Sequence, residues 1–130
     1  MADPFLQKLL HYKLDGRRAV ACESVEEWKE WRAKADRRVA ETWIDDICIS
    51  TVFLGLDHNP LPDSDPALFE TMVFANDADH QMRRYFIWEE AEAGHAEMVS
   101  LIREEMEDAQ VKATAALAAL MERMRPASET

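Results

Sequence analysis

The spacing of apolar residues changes once along this chain. Up to Ile87 they recur mostly at every second position, with one helical interruption; from Trp88 they recur every third or fourth. A period of two belongs to strands and one near 3.6 to helices. In "YKLDGRRAVAC", Asp15-Gly16 predicts a two-residue hairpin turn between Tyr12–Leu14 and Arg17–Cys22. In "ESVEEWKEWRAKAD", Ser24 is followed three residues later by Glu27, the pattern of a capping box. Val25, Trp28, Trp31 and Ala35 then fall at helical spacing and predict a short helix over about 25–35.

The runs "RRVAETW" and "ICISTVFLGL", separated by Ile44-Asp45-Asp46, predict a second hairpin. "HNPLPDSDPA" is a proline-rich polar loop. "ALFETMVF" resumes a strand, with Leu68, Glu70, Met72 and Phe74 on one face and Phe69, Thr71 and Val73 on the other. After the turn "ANDADHQ", Met82 to Ile87 makes a last strand. The helical period then holds to about Met124. Val99, Ile102, Met106, Ala109, Ala113, Ala116 and Leu120 follow the 3-4 spacing of a coiled-coil seam.

The expected fold is therefore α+β in a single domain. An antiparallel sheet of five or six strands with one short helix occupies about 11–87, and a long, coiled-coil-like C-terminal helix occupies about 88–125. A helix of that length spans roughly 55 Å, against a domain diameter of roughly 30 Å, so part of it must project. Such a helix would leave Leu117, Leu120, Met121 and Met124 in water, which favours homo-oligomerisation through it over a frayed or folded-back tail. "RPASET" is expected to be a disordered end.

Charge narrows the partners. Fifteen Lys and Arg stand against 26 Asp and Glu, a formal net charge of −11 over 130 residues. That field repels a phosphate backbone and argues against nucleic-acid binding, while a small anion answers only to the local charges of a pocket. "MADPFLQKLL" has no apolar stretch long enough for a signal peptide, and no segment approaches the roughly 18 to 20 apolar residues of a membrane span. The expected location is the cytoplasm, with no membrane contact. Cys22 and Cys48 lack CxxC spacing and read as buried free thiols.

The common catalytic and phosphate-cradling motifs are absent, and the chain has only three glycines. No enzyme activity and no cofactor are expected. Asp57, His58, Glu92 and His95 would be the donors of a metal site, but one E-x-x-H pair is half of what a carboxylate-bridged centre needs; no metal is expected, and His95 reads as a packing or hydrogen-bonding residue. Three arginine pairs, Arg17-Arg18, Arg37-Arg38 and Arg83-Arg84, sit in or at the start of predicted strands, so one member of each should face the covered side or a cleft. Guanidinium forks suit phosphates, and Phe74, Tyr85, Phe86 and Trp88 would stack a base beside them. Pairing of these arginines with surface carboxylates is the alternative. Glu70, alone among apolar neighbours, calls for a partner such as Arg37, Arg38 or Arg84.

Together, "STVFLGLDH", "LFETMVF" and "RRYFIWEEAEAGH" resemble a family of small phage and prophage proteins, and the match covers roughly Tyr12 to Val99. The family is similar to the Thoeris anti-defence sponges, which sequester cyclic ADP-ribose-type immune signals without cleaving them and assemble through helical C-termini. The resemblance implies an arginine- and aromatic-lined pocket, a homo-oligomer and a setting in the infected bacterium's cytoplasm. It departs after Asp57-His58, where the family is glycine-rich and this chain has "NPLPDSDP".

The candidate ligand-binding residues are Arg84, Arg38, Arg18, Phe74, Tyr85, Trp88, Asp57, His58 and Glu70. The expected ligand is a small nucleotide, cyclic ADP-ribose or a cyclic oligonucleotide. Two other readings stay open at this point: an acidic phage inhibitor that acts by covering another protein, and a metal-dependent enzyme.

Overall fold

A computed structural model of the chain describes residues 11–57, 61, 64–75 and 82–126. The expected site residue His58, the turn at 76–81 and the chain end beyond 126 lie outside the described residues. The elements run β1 (Tyr12–Asp15), β2 (Arg18–Ala21), α1 (Val25–Lys34), β3 (Arg38–Ile44), β4 (Ile47–Phe53), β5 (Phe69–Phe74), β6 (Met82–Tyr85) and α2 (Trp88–Arg123). The fold is mixed α+β, as the two periods predict. Among the described residues, six antiparallel strands form two sheets: a β1-β2 hairpin and a four-stranded meander in the order β3-β4-β5-β6.

Each hairpin turn follows from its sequence. Asp15 pairs with Arg18, so the loop residues are Gly16 and Arg17, one position later than the predicted turn. Gly16 takes φ +65, a conformation that costs glycine little. Ile44 pairs with Ile47, which leaves Asp45 and Asp46 as the second loop, and Asp45 sits at φ 51. Asp tolerates that left-handed region better than most residues. Helix α1 starts where the capping box placed it, with the Ser24 side chain accepting from the Glu27 amide at 3.1 Å. Lys13 holds Glu27 at 2.8 Å and, with the Glu23 amide, pulls its carboxyl below the usual range, tying β1 to α1.

Strand alternation decides what is buried. On β4, Ile49, Thr51 and Phe53 are buried, and on β5, Phe69, Thr71 and Val73. Cross-strand register carries this face to Thr42 on β3 and to Arg83 and Tyr85 on β6. Phe53, Leu68, Phe69 and Ala91 make a core cluster, against which Tyr12, Leu14 and Ala19 of the hairpin, Trp31 of α1, Val39, Tyr85 and Trp88 pack. Leu68 belongs to this cluster and not to the Glu70 face, because regular alternation begins only at Phe69. The hairpin is tied to the segment after β4 by the Tyr12 amide, which donates to the Gly55 carbonyl at 2.8 Å. Cys22 and Cys48 are buried and free, and burial pushes both thiols up, so they stay protonated at neutral pH.

The last predicted strand stops at Tyr85, and Phe86 and Ile87 lead into α2. The chain divides into two compact units, Met1–Met98 and Val99–Thr130. The 36 residues of α2 start in the first and run through the second, about 54 Å at 1.5 Å per residue. In the second unit Val99 and Ile102 are buried and Met106 half-buried, while every residue from 107 to 126 is exposed. Among the described residues, no helix is long and apolar enough to cross a membrane.

Gly94 packs α2 tightly on the sheet, because a Cβ added there would overlap the Tyr85 ring. Gly94→Ala gains helix propensity but forces Tyr85 out of place, so it should lower stability by about 1–3 kcal/mol, the usual cost of overpacking. Urea unfolding of the variant should show a reduced midpoint; an unchanged or higher midpoint would remove this contact as a constraint.

Candidate functional site

Two features of the first unit concentrate chemistry: a concavity at the hairpin and a buried polar chain beneath α2. The concavity has a volume of about 590 Å³, within the range of about 300–1,000 Å³ common for small-molecule sites. Three segments build it. The hairpin contributes Tyr12, Arg17, Arg18 and Ala19, the stretch before β5 contributes Asp65 and Pro66, and the β6-α2 junction contributes Phe86, Ile87, Trp88 and Glu89, above Leu68 and Phe69.

Local geometry fixes its aromatic wall. The Phe86 amide donates to the Glu90 carboxylate at 3.1 Å, and the Ala91 amide to the Ile87 carbonyl at 3.1 Å, so α2 begins with Trp88 held over the core. The Trp88 ring meets Phe69 edge-on, with centroids 6.2 Å apart. On the hairpin turn, the Arg17 guanidinium lies 5.6 Å from the Trp88 ring centroid and 3.4 Å from Glu92. Glu92 also accepts from the Trp88 Nε1. Arg17 is thus held by a cation–π contact and an ion pair at once, whereas Arg18 makes no ion pair among the described residues. Phe86 and Ile87 remain 41 % and 52 % exposed at the rim.

Such a site presents flat apolar rings, two guanidinium groups and two carboxylates, Asp65 and Glu89. Rings take a planar base, guanidinium groups take phosphate, and carboxylates accept from hydroxyls.

The buried polar chain runs across the covered face of the sheet. His95, 7 % exposed, contacts Thr42 Oγ1 through Nε2 at 2.8 Å and Thr51 Oγ1 through Nδ1 at 2.7 Å. Thr51 meets Thr71 at 2.5 Å, and the Tyr85 hydroxyl donates to Thr71 at 3.1 Å. With Tyr85 as donor, one proton order satisfies every member: Tyr85 to Thr71, Thr71 to Thr51, Thr51 to His95 Nδ1, and His95 Nε2–H to Thr42. It requires neutral His95, and burial lowers the pKa of His95 from its ordinary 6.5.

The eight expected site residues that are described fall in different places. Arg18 and Trp88 line the concavity. Tyr85 faces α2 and closes the polar chain. Asp57 accepts from the Ala67 amide at 3.1 Å and, after burial, is the second influence raising the Tyr12 phenol, so the end of this strand run braces the segment that walls the concavity. Arg84, Arg38, Glu70 and Phe74 lie on the opposite face of the sheet by register. There Glu70 pairs with Arg84 at 3.1 Å, one of the partners its position called for. Arg83, on the covered face, pairs with Glu97 at 3.1 Å, so neighbours in this arginine pair do point to opposite sides.

Tyr12, Asp65, Pro66, Leu68, Phe69 and Ile87 were not anticipated in the site. Nothing local signals them, because they meet only through docking of the hairpin. Glu92 and His95, the helical pair of the metal reading, have different partners: Glu92 is exposed beside Arg17 and Trp88, and His95 is buried among threonines. Among the described residues, no group of three or more His, Cys, Asp or Glu side chains is placed to hold a metal ion.

The fold and concavity define an α+β protein with an aromatic and guanidinium-lined recess. No protein-family model, curated protein or solved structure matches the chain.

Because native His95 has a lowered pKa, the unfolded chain binds the proton more readily and stability rises with pH. Stability should be fully present above about pH 6.5 and fall as His95 is driven toward protonation below it. Thr51→Val leaves His95 Nδ1 buried without its donor and should cost about 1–3 kcal/mol. Chemical denaturation across pH 5 to 8 checks both predictions. A His95→Phe chain that keeps the wild-type pH dependence would show that other groups set it.

Proposed function

We propose that this is a non-catalytic binding protein that captures and sequesters a small nucleotide signal, of the cyclic ADP-ribose or cyclic oligonucleotide class, in the concavity at the hairpin. The observation that carries this reading is the placement of Arg17 beside the Trp88 indole, with Arg18 lining the same recess of about 590 Å³. Trp88, Phe86 and Tyr12 offer stacking surface to the base. Arg18, without an ion pair among the described residues, supplies the phosphate contact, and Asp65 and Glu89 accept from ribose hydroxyls. Capture in stoichiometric amount needs affinity and no reacting group. The resemblance to phage anti-defence sponges supports the ligand class and the cytoplasm of an infected bacterium as the setting.

Assembly through the C-terminal helix is part of the proposal. It is supported by Val111, Leu117, Leu120, Met121 and Met124, which are between 45 % and 72 % exposed. A second reading, an acidic inhibitor that covers a basic protein, draws support from the net charge of −11. Its mark would be salt-sensitive binding to such a protein with no small-molecule ligand.

Native mass spectrometry with cyclic ADP-ribose isomers and cyclic di- and trinucleotides tests the proposal. The expected result is a bound, unmodified nucleotide; a released product of altered mass, or no bound nucleotide, overturns it. Arg18→Ala should weaken the bound nucleotide about 10- to 100-fold, the worth of a charged hydrogen bond. Arg84→Ala, on the other sheet face, should leave affinity within about twofold. The reverse pattern would move the site to the Arg84 face.

A further inference from the structure

The face of the meander opposite α2 has the wrong composition for water. A sheet solvated on one side normally shows polar residues there. By register, one end of this face carries Trp43, Cys48 and Phe74, the next row carries Glu41, Ser50, Met72 and Met82, and the far end carries Arg38, Val52, Glu70 and Arg84. Trp43, Met82 and Phe74 are 62 %, 50 % and 48 % exposed. The core contacts of the hairpin, α1 and the start of α2 are all made on the other face.

Its charges are compensated within the face. Arg84 pairs with Glu70 at 3.1 Å and Arg38 with Glu41 at 3.5 Å, so two positive and two negative strand residues sum to zero in a chain of net charge −11. On the strands themselves a basic partner finds no excess acid and an anionic one no unpaired guanidinium, while Asp45 and Asp46, exposed in the β3-β4 turn, border the apolar end. A second copy of this acidic chain finds a neutral, apolar landing surface.

We infer that this face docks on the same face of a second copy, as two sheets pack in a sandwich. A two-fold axis parallel to the strands lays apolar end on apolar end and sets β3 of one copy over β6 of the other, with Trp43 against the partner's β5-β6 side. Four strands about 4.8 Å apart and seven residues of about 3.4 Å make a face of roughly 300–400 Å² per copy. Counted over both copies that is roughly 600–800 Å², below the roughly 1,200 Å² total of standard stable interfaces, so the contact is weak and concentration-dependent. Because the contact is apolar and the rest of the surface is acidic, added salt strengthens it. The inference does not depend on the nucleotide concavity.

Sedimentation equilibrium of the full chain tests it against Trp43→Glu, Met82→Lys and, as a comparison at the other proposed interface, Leu117→Glu/Leu120→Glu. Trp43→Glu and Met82→Lys should each weaken association at least about tenfold, with circular dichroism and melting unchanged, and association of the wild type should tighten with salt. The doubly substituted Trp43→Cys/Met82→Cys chain should oxidise to a disulfide-linked dimer. It is made in a Cys48→Ser background, because the free thiol of Cys48 lies directly opposite position 43 and would otherwise compete as an intrachain partner; positions 43 and 82 cannot join within one chain, since β3 and β6 are about 14 Å apart. A wild type that stays monomeric at every concentration, or association lost only in the helix variant, overturns the inference, as does the failure of the paired cysteines to link two chains. If Trp43→Glu itself unfolds, Met82→Lys and the cysteine pair still decide.

Discussion

The contact on which the rest depends is the bond between one helix and four strands through His95. Each strand of the meander gives one hydroxyl to a single line, Thr42 from β3, Thr51 from β4, Thr71 from β5 and Tyr85 from β6, and α2 closes it with an imidazole. Burying five polar groups without partners would cost several kcal/mol, and burying them satisfied leaves the cost small. Satisfaction is directional. Each hydroxyl has one proton, so a one-residue slip of any strand would turn its threonine to the other face and break the line. The chain of hydroxyls therefore specifies register as well as holding α2 down.

That placement of α2 governs the concavity. Trp88 opens the helix one turn before Ala91 and two turns before His95, so fixing His95 and Gly94 against the sheet fixes the indole over Phe69. Arg17 and Glu92 then meet around that ring. The hairpin brings the arginines from the opposite side, and its position relies on the Tyr12 to Gly55 bond and the Lys13–Glu27 pair. The recess is the gap left between two supports that are each rigid for their own reasons.

Local signals were legible in the sequence. The capping box at Ser24 and Glu27, the aspartate and glycine turns, the strand alternation around Glu70 and the change of period near Trp88 all give elements at or within three residues of those found. Reading His95 as a hydrogen-bonding residue was also within reach, since a lone imidazole on a helix of acids needs partners. Two things were not legible. The division of six strands into two sheets depends on β1-β2 docking over Phe53 and Leu68 instead of extending an edge, and period-two patterns look alike in both cases. The composition of the concavity depends on that same docking, so Arg18 and Trp88 were within reach as chemistry, while Tyr12, Asp65 and Pro66 had no local mark.

The polar line also explains where function has room to reside. The covered face is fully committed to core and hydroxyls, and a ligand entering there would have to break bonds that set register. What remains is the rim, where Phe86, Ile87 and Arg18 stand open, and the reverse face, where Trp43, Phe74 and Met82 do. These two surfaces differ in kind. The rim is concave, with charged groups at a ring, which suits a small anion; the reverse face is broad and charge-compensated, which suits a surface like itself. A sheet that spends one side on a single hydrogen-bonded line leaves its recognition chemistry to edges and to the side facing water.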